Sequence, residues 1–286
     1  MRVTSRGVRT DPVSFPHNGV RLSGDHRAPD GAARGTAVFL HGGGQTRHSW
    51  RKTAERVAAD GWTTISLDAR GHGDSTWAPD GNYSLDSFVG DLYAVLDTLP
   101  EPPVLVGASL GGITSLAAAG ERPGCAAGLV LVDVAPRTSE EGRARIAEFM
   151  AGAPDGFASL EEVADAIHAY NPHRPRPRSL DGLRKNVRQH ANGRWYWHWD
   201  PKFLDVRDEP NRDAEADRLA RAARSLRVPT MLVRGSQSDV VTAESVEDLR
   251  RLLPSARFEE VQAGHMVAGD DNDIFTKHLL DFLAAT

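Results

Sequence analysis

The segment PVLVGASLGGITSLAAAG, residues 103–120, decides the fold. Its first part, Pro103 to Ser109, is a short apolar run that predicts a buried strand, and Leu110 to Gly120 predicts a helix. Between them Gly107-Ala108-Ser109-Leu110-Gly111 has the form G-x-S-x-G. In this context the pattern indicates a sharp turn that exposes Ser109, with glycine on either side because a side chain there would collide with the neighbouring elements.

Outward from this segment, strands and helices alternate along the chain. The predicted elements are strands at 36–41, 62–68, 103–109, 128–134, 229–235 and 256–262, and helices at 49–60, 84–96, 110–120, 243–253 and 272–285. A hairpin with its turn at Asn18-Gly19 precedes them. This order predicts an α/β fold with a mostly parallel central sheet flanked by helices, and a site on the loops that follow the strands.

The alternation of strands and helices is interrupted between residues 136 and 227. Helical segments at 140–150, 160–170 and 180–190 surround an arginine-rich and a tryptophan-rich stretch there. We therefore expect a core made of residues 1–135 and 228–286, with residues 136–227 inserted as a helical cap.

A serine hydroxyl is a weak nucleophile until a base takes its proton, so the hypothesis requires a histidine and a carboxylate. His265 follows the strand at 256–262, and Asp239 follows the strand at 229–235, which predicts a triad of Ser109, Asp239 and His265. Asp133, at the end of the strand 128–134, is the alternative carboxylate. At the start of its helix the Leu110 amide is expected to be unpaired, so it can donate to an oxyanion.

Several motifs together resemble the α/β-hydrolase fold superfamily over nearly the whole chain. They are the Ser109 pentapeptide, the loop His41-Gly42-Gly43-Gly44, the turn from Asp68 to Ser75, and the placements of Asp239 and Gly264-His265. The resemblance implies a second oxyanion donor at the Gly43 amide, with Gly44 the next candidate. It also implies that a serine, rather than the aspartate of haloalkane dehalogenases and epoxide hydrolases, attacks a carbonyl carbon without a metal or organic cofactor.

Other polar residues near these motifs are expected to be structural. His41 and His72, beside glycine turns, should hold loops by hydrogen bonds to backbone. Asp68, Arg70 and Asp74 should brace the turn that supports the oxyanion loop, because an arginine can bridge several acceptors.

The cap carries two features that bear on the substrate. Trp195, Trp197 and Trp199, with Tyr196 between them, would share one face of an extended segment, so they either wall a pocket for an aromatic or long acyl group or dock the cap. The basic residues of the cap could bind a substrate carboxylate, or could form a solvated face. These basic residues are Arg174, Arg176, Arg178, Arg184 and Arg188.

Composition excludes some other classes. The 286 residues carry a formal net charge of −5, which disfavours nucleic acid and anionic membranes as partners. Neither a leader-like apolar segment nor a membrane-length apolar run is present, so we expect a soluble, cytoplasmic protein. Cys125 is the single cysteine, expected to be an unreactive thiol. We expect a small-molecule ester as the substrate, and the sequence is compatible with either a monomer or a homodimer.

The sequence therefore predicts a serine hydrolase that cleaves a carboxylic ester through an acyl-enzyme, with a tilt toward an aromatic or carboxylate-bearing monoester such as a phthalate monoester. The alternatives are a carbon–carbon bond hydrolase, a cofactor-free haloperoxidase or perhydrolase, a lyase that uses the same serine and histidine, and a ligand receptor that retains a slow triad.

Overall fold

The structure is a computed structural model, and it describes residues 2–3, 8–172, 176, 179–205, 212–265, 267 and 273–286. The strands within these residues are β1 (Arg2–Val3), β2 (Arg9–His17), β3 (Val20–Ala28), β4 (Thr36–Leu40), β5 (Thr63–Leu67), β6 (Val104–Ala108), β7 (Gly128–Val132), β8 (Val187–Gln189), β9 (Trp195–Trp197), β10 (Thr230–Gly235) and β11 (Arg257–Val261).

The helices of the described residues flank this sheet or lie in the inserted segment. They are α1 (Arg51–Ala59), α2 (Leu85–Leu96), α3 (Leu110–Glu121), α4 (Glu140–Ala151), α5 (Leu160–Tyr170), α6 (Lys202–Asp205), α7 (Arg212–Ser225), α8 (Ala243–Leu252) and α9 (Asp273–Ala285), with short 3-10 turns at Arg47–Trp50 and Asp181–Lys185. The expected closing helix begins within the described residues at Asp273, and its predicted first residue, Asn272, lies outside them.

The central sheet has the strand order β1-β2-β3-β5-β4-β6-β7-β10-β11. The first three strands are antiparallel, and β3 meets β5 antiparallel. From β5 to β11 every neighbouring pair is parallel. The prediction of a mostly parallel sheet flanked by helices is confirmed, and the carboxyl ends of β4, β6, β7, β10 and β11 share one edge.

Local sequence explains the ends of several elements. The turn between β2 and β3 is made by Asn18 and Gly19, both with positive φ (45° and 76°), as a two-residue hairpin of this chirality requires. Ser84 caps α2 by accepting from the Ser87 amide. These short-range signals place the elements close to where the sequence predicts them.

Both faces of the sheet are buried, which is why its strands are apolar throughout. On one face Phe39, Trp50 and Phe275 form an aromatic contact beneath α1 and α9, with centroids 5.4 and 5.8 Å apart. On the other face α2 and α3 cover the sheet through buried leucines such as Leu92 and Leu116. Burial of this apolar area on two sides holds the strand ends in fixed register.

The inserted segment differs from its prediction in two places. The helix expected at 180–190 is wrong: the chain forms the short turn Asp181–Lys185 and then the hairpin β8–β9. Gly193, with φ 78°, lies between those two strands, and the backbone amide of Phe157 pairs with Trp195, so tertiary pairing outweighs the local helical pattern.

The second difference is helix α7, which lies within residues 136–227 and is not among the helices that the sequence predicts there. Helix α7 lies against α3 of the core, so close that a Cβ atom on Gly120 would fall 2.4 Å from the carbonyl oxygen of Ala222. Its Leu219 and Ala223 are buried in the core cluster beneath the sheet. Helix α7 therefore packs against the helices that flank the sheet. Among the described residues, no helix combines the length and apolarity needed to cross a membrane.

Candidate active site

Ser109 lies at the turn between β6 and α3 with φ 45° and ψ −112°, a conformation that costs energy for any residue except glycine. The flanking glycines are required sterically. A Cβ atom on Gly107 would fall 2.4 Å from the Gly111 carbonyl oxygen, and one on Gly111 would fall 2.4 Å from the Leu40 carbonyl oxygen. The turn therefore holds the serine at the carboxyl edge of the sheet.

The loop after β4 approaches Ser109 from the side. A Cβ atom on Gly42 would lie 3.3 Å from Ser109 Cβ. The Gly42 amide donates to Gln45 Oε1 (3.2 Å), and the Gly44 amide donates to His72 Nε2 (3.1 Å). Within the described residues, the Gly43 amide has no acceptor. The choice that the sequence leaves between Gly43 and Gly44 is thus narrowed to Gly43, because the amide of Gly44 is already used.

The Leu110 amide is the corresponding donor on the other side of Ser109. It stands at the start of α3, and no acceptor for it occurs in the described part of the chain. Its neighbour Gly111 donates to the His41 carbonyl oxygen (3.1 Å), which ties the start of α3 to the oxyanion loop. Two unpaired amides, on Gly43 and Leu110, therefore flank the serine.

The carboxylate beside His265 is Asp133. His265 Nδ1 lies 2.6 Å from Asp133 Oδ2, and the side chains are 7% and 0% exposed. Asp133 also accepts from the Gly235 amide (2.9 Å) and from Ser238 Oγ (2.6 Å). An Nδ1–H that donates to a buried carboxylate leaves Nε2 of the imidazole as the proton acceptor.

Asp239, which the sequence predicts as the partner of His265, takes a different position. Its carboxylate lies 3.0 Å from Arg145 of helix α4, with 36% of its side chain exposed. The Ser139 amide donates to the carbonyl oxygen of Val240 next to it (2.9 Å). The expected pairing of Asp239 with His265 is therefore corrected: Asp239 pairs with Arg145 of α4, and the alternative residue Asp133 contacts the histidine.

Backbone geometry explains why Asp133, rather than Asp239, contacts His265. Asp133 has φ 49°, a left-handed conformation that turns the chain directly after β7, and its amide donates to the Val233 carbonyl oxygen (2.8 Å). Gly235, which ends β10, lets the histidine loop approach, since a Cβ atom there would be 2.4 Å from the Gly264 carbonyl oxygen. The buried carboxylate of Asp133 can therefore reach past β10 to the residue that follows β11.

A layer of three buried histidines supports the oxyanion loop. His41 Nδ1 lies 2.8 Å from the Gly42 carbonyl oxygen, and its Nε2 accepts from the Ala69 amide (3.0 Å). His72 holds Gly44, as described above. His198, from the cap, accepts from the Gly73 amide at Nδ1 (2.8 Å). The structural roles expected of His41 and His72 are thus seen, whereas the sequence offered no signal for His198.

Burial keeps two of these histidines uncharged. It lowers the pKa of His41, and it lowers the pKa of His198 well below the ordinary value, with the positive field of Arg188 adding to the effect on His198. A neutral imidazole can accept a backbone amide proton, and an imidazolium cannot. The hydrogen bonds that hold the loop therefore depend on neutral histidines.

Ion pairs between side chains stabilise the turn after β5, as the sequence predicts. Asp68 accepts from the Arg47 amide (2.7 Å) and pairs with the Arg47 guanidinium, which also contacts Asp74. Arg70 forms a two-pronged pair with buried Asp91, both contacts at 2.7 Å. The sequence does not predict this role of Arg47, because nothing in the local pattern distinguishes it from the other arginines and its partners Asp68 and Asp74 are brought close only by folding.

A cavity of about 290 Å³ lies between the oxyanion loop and the cap, and we call it the cap cavity. Its core side is formed by Gly44, Gln45, Thr46, His48 and Ser49, and its aromatic walls are formed by Phe149, Tyr170, Trp197 and Trp199. Trp197 and Trp199 stack at 4.8 Å, and Phe149 stacks on Tyr170 at 4.3 Å. Ser109 itself is not in its walls, and Gly44 is its contact with the oxyanion loop. Met150 of α4 covers Gly44.

The remaining cap residues divide between packing and surface. Trp195 lies outside the cavity walls and carries Arg184 on its ring (4.9 Å). Arg176 pairs with Asp165 (2.9 Å), and Arg188 pairs with Asp74 (2.9 Å). Arg174 and Arg178 lie outside the described residues. Of the three tryptophans expected to wall a pocket, Trp197 and Trp199 therefore line the cap cavity and Trp195 does not.

Two further features bear on chemistry. Cys125 is buried, its thiol lies 3.5 Å from the Ala118 carbonyl oxygen, and burial raises the pKa of that thiol. Within the described ranges, no group of three or more histidine, cysteine, aspartate or glutamate residues is placed to hold a metal ion.

Comparison with known proteins places these features in context. A family model described as the alpha/beta hydrolase fold matches residues 37–271. Esterase Rv0045c of Mycobacterium tuberculosis is 32% identical, over 84% of this chain and 80% of the relative. A crystal structure of that esterase aligns with TM-score 0.74 and 29% identity, covering 96% of this chain and 92% of the other.

Two other matches extend over most of both chains. The sn-1-specific diacylglycerol lipase ABHD11 of Mus musculus is 28% identical, over 96% of this chain and 86% of the relative. A 2-(acetamidomethylene)succinate hydrolase of Mesorhizobium japonicum is 28% identical over 87% of each. The crystal structure of an E-2-(acetamidomethylene)succinate hydrolase shares the fold, with TM-score 0.82 at 22% identity, covering 96% of this chain and all of the other (100%).

Proposed function

This chain belongs to the α/β-hydrolase fold family and is an ester hydrolase of that family, and from this premise we propose that Ser109 is its nucleophile in the cleavage of a small-molecule carboxylic ester. The strained backbone of Ser109, with φ 45°, carries the proposal. Strain of this kind persists only where the surrounding structure imposes it, and it is concentrated at functional sites. Relatives named esterase and lipase support the same reaction class.

Acylation begins when Ser109 Oγ attacks the ester carbonyl carbon and His265 Nε2 takes the hydroxyl proton. Asp133 holds the imidazole through Nδ1 and stabilises the imidazolium that forms. The amides of Gly43 and Leu110 donate to the oxyanion, each stabilising the transition state by about 3 kcal/mol. Collapse of the tetrahedral intermediate breaks the ester C–O bond, and His265 returns the proton to the leaving alkoxide.

Deacylation repeats these steps with water. His265 takes a proton from the water as its oxygen attacks the acyl carbon, the bond to Ser109 Oγ breaks, and the proton returns to the serine. The products are a carboxylic acid and an alcohol. Acylation and deacylation therefore each begin with a proton transfer to His265 Nε2 and end with the return of that proton.

The cap cavity supports an aromatic substrate of modest size. Its aromatic walls supply apolar contact at low conformational cost, and its volume of about 290 Å³ is near the lower end of typical small-molecule pockets. An aromatic or carboxylate-bearing monoester, such as a phthalate monoester, fits this description. A relative named for hydrolysis of a substituted succinate, itself a dicarboxylate, supports the same substrate chemistry.

The test is hydrolysis of 4-nitrophenyl butyrate by the wild type, by Ser109→Ala and by Ser225→Ala, a control at an exposed serine of α7. We expect turnover by the wild type and the control, with a loss of at least about a thousandfold in Ser109→Ala. A fluorophosphonate probe should add one adduct, mapped to Ser109. Equal rates in a folded Ser109→Ala variant and the wild type would overturn the proposal.

A further inference from the structure

The cap cavity has an uneven charge. Arg176, Lys185 and His48 lie in its walls, and no aspartate or glutamate does so among the described residues. A second cavity of about 230 Å³ adjoins it, and Thr46, His48 and Lys185 line both. The residues shared by the two cavities are therefore basic or neutral.

Most of the cations around these cavities already have partners. Arg47 and Arg188 both contact Asp74, and Arg176 contacts Asp165. Arg184 lies over the ring of Trp195, and its guanidinium makes no ion pair within the described chain. Arg47, Arg176 and Arg188 are thus each paired with a carboxylate of the protein itself.

Lys185 differs from these arginines. Its ammonium group makes neither an ion pair nor a hydrogen bond with any residue that the structure describes, and Lys185 is an exposed residue that lines both cavities. Partial burial and the positive field of Arg51 lower the pKa of Lys185. An anion bound beside the ammonium would oppose both effects, because an opposite charge favours the charged form.

His48 adds a neutral polar group at the same place. Burial, together with the nearby Arg47, lowers the pKa of His48, so its imidazole is uncharged at neutral pH. It makes no side-chain hydrogen bond within the described residues, which leaves an N–H donor beside the lysine. Lys185 and His48 therefore both line the two cavities, and they are close enough for the lysine to act on the pKa of the imidazole.

We propose that Lys185 and His48 form an anion-binding subsite that takes the free carboxylate of a dicarboxylic acid monoester, while the aromatic walls hold the rest of the acyl group. The subsite rests on the proposed esterase function and names the residues that select its substrate. A carboxylate fits because it accepts from an ammonium and an N–H donor together. The same subsite retains the dicarboxylate product.

The first experiment compares two esters that differ by one carboxylate, monoethyl phthalate and ethyl benzoate, with acid release followed by chromatography. In Lys185→Gln the KM for monoethyl phthalate should rise about tenfold, because the variant loses one charge-assisted hydrogen bond to the substrate carboxylate. The KM for ethyl benzoate should be unchanged. Lys185→Arg should restore most of the loss, and Lys202→Gln, at an exposed lysine that lines neither cavity, should leave both values unchanged.

A second measurement separates binding from turnover. Phthalate is titrated into Ser109→Ala, and the quenching of the fluorescence of Trp197 and Trp199 gives the dissociation constant. Lys185→Gln in that background should weaken phthalate binding about tenfold, and added salt should weaken it in the parent but little in the variant. Benzoate is the control ligand.

The outcomes are distinguishable. If both esters are hydrolysed but Lys185→Gln changes neither the KM for monoethyl phthalate nor the phthalate affinity, the subsite is refuted and the esterase stands. If neither ester is hydrolysed, yet phthalate binding depends on Lys185, the subsite stands and the proposed reaction fails. Parallel losses for the neutral and the charged ester would also refute the subsite, since they indicate a general change in the cavity.

Discussion

Replacing Asp133 by asparagine should remove most of the activity, whereas the same change at Asp239 should leave it nearly intact. Asp133 accepts from three donors, His265, Gly235 and Ser238, at 2.6 to 2.9 Å. An asparagine keeps one acceptor oxygen and places an NH₂ group where the histidine or the serine donates. His265 then favours the wrong tautomer, and by analogy with other triads kcat should fall about 10³- to 10⁴-fold.

The Asp239 variant supplies the matched control. Its ion pair with Arg145 is half exposed, with 36% and 50% of the side chains accessible, so its loss should cost less than about 1 kcal/mol of stability. Loss of Asp133, a fully buried charge, should cost about 2 to 4 kcal/mol.

The assay is steady-state hydrolysis of 4-nitrophenyl butyrate, with circular dichroism and thermal melting to establish that each variant is folded. A large loss of kcat in Asp239→Asn, together with near wild-type kcat in a folded Asp133→Asn, would refute the reasoning.

Three other measurements address the supports of the site. The free energy of unfolding should decrease as the pH falls below about 6.5, because the unfolded chain protonates histidines that burial keeps neutral in the fold. In His198→Asn the unfolding free energy should depend less steeply on pH, and a pH dependence identical to that of the wild type would contradict this explanation. Gly235→Ala should lower both kcat and the melting temperature, the latter through a loss of about 1 to 3 kcal/mol of stability, because the new Cβ would fall 2.4 Å from a backbone oxygen. Gly182→Ala, with open space around its Cβ position, should leave the melting temperature unchanged. Trp197→Ala should raise KM for ethyl benzoate about tenfold more than for ethyl acetate in steady-state assays, and Trp77→Ala, at an exposed ring, should not.

Much of the site follows from short-range sequence. The strand before Ser109, the helix after it and the glycines at 107 and 111 are all readable from eighteen residues, since each depends on local apolar pattern or on steric room for one turn. The alternation of strands and helices predicts the parallel sheet for the same reason. The reaction class follows from the serine and from the family resemblance that surrounds it, and the family match confirms that resemblance.

The cap was less predictable. The pattern at 180–190 favours a helix, yet the chain forms a turn and a hairpin because residues outside the segment complete its hydrogen bonds. Helix α7 has an ordinary amphipathic sequence, and only the structure shows that it packs against Gly120 of α3.

By itself the sequence predicted the order of the elements, the sharp turn at Ser109 and a histidine on the loop after the last strand, because these depend on neighbours within a few residues. Only the tertiary structure showed that Asp133 rather than Asp239 contacts His265, that the Gly44 amide already donates to His72, and that Lys185 lines the cap cavity. Each of those features depends on a partner brought close by folding: a buried carboxylate reaches its histidine across a strand, and a backbone amide becomes unavailable once a distant imidazole accepts its proton.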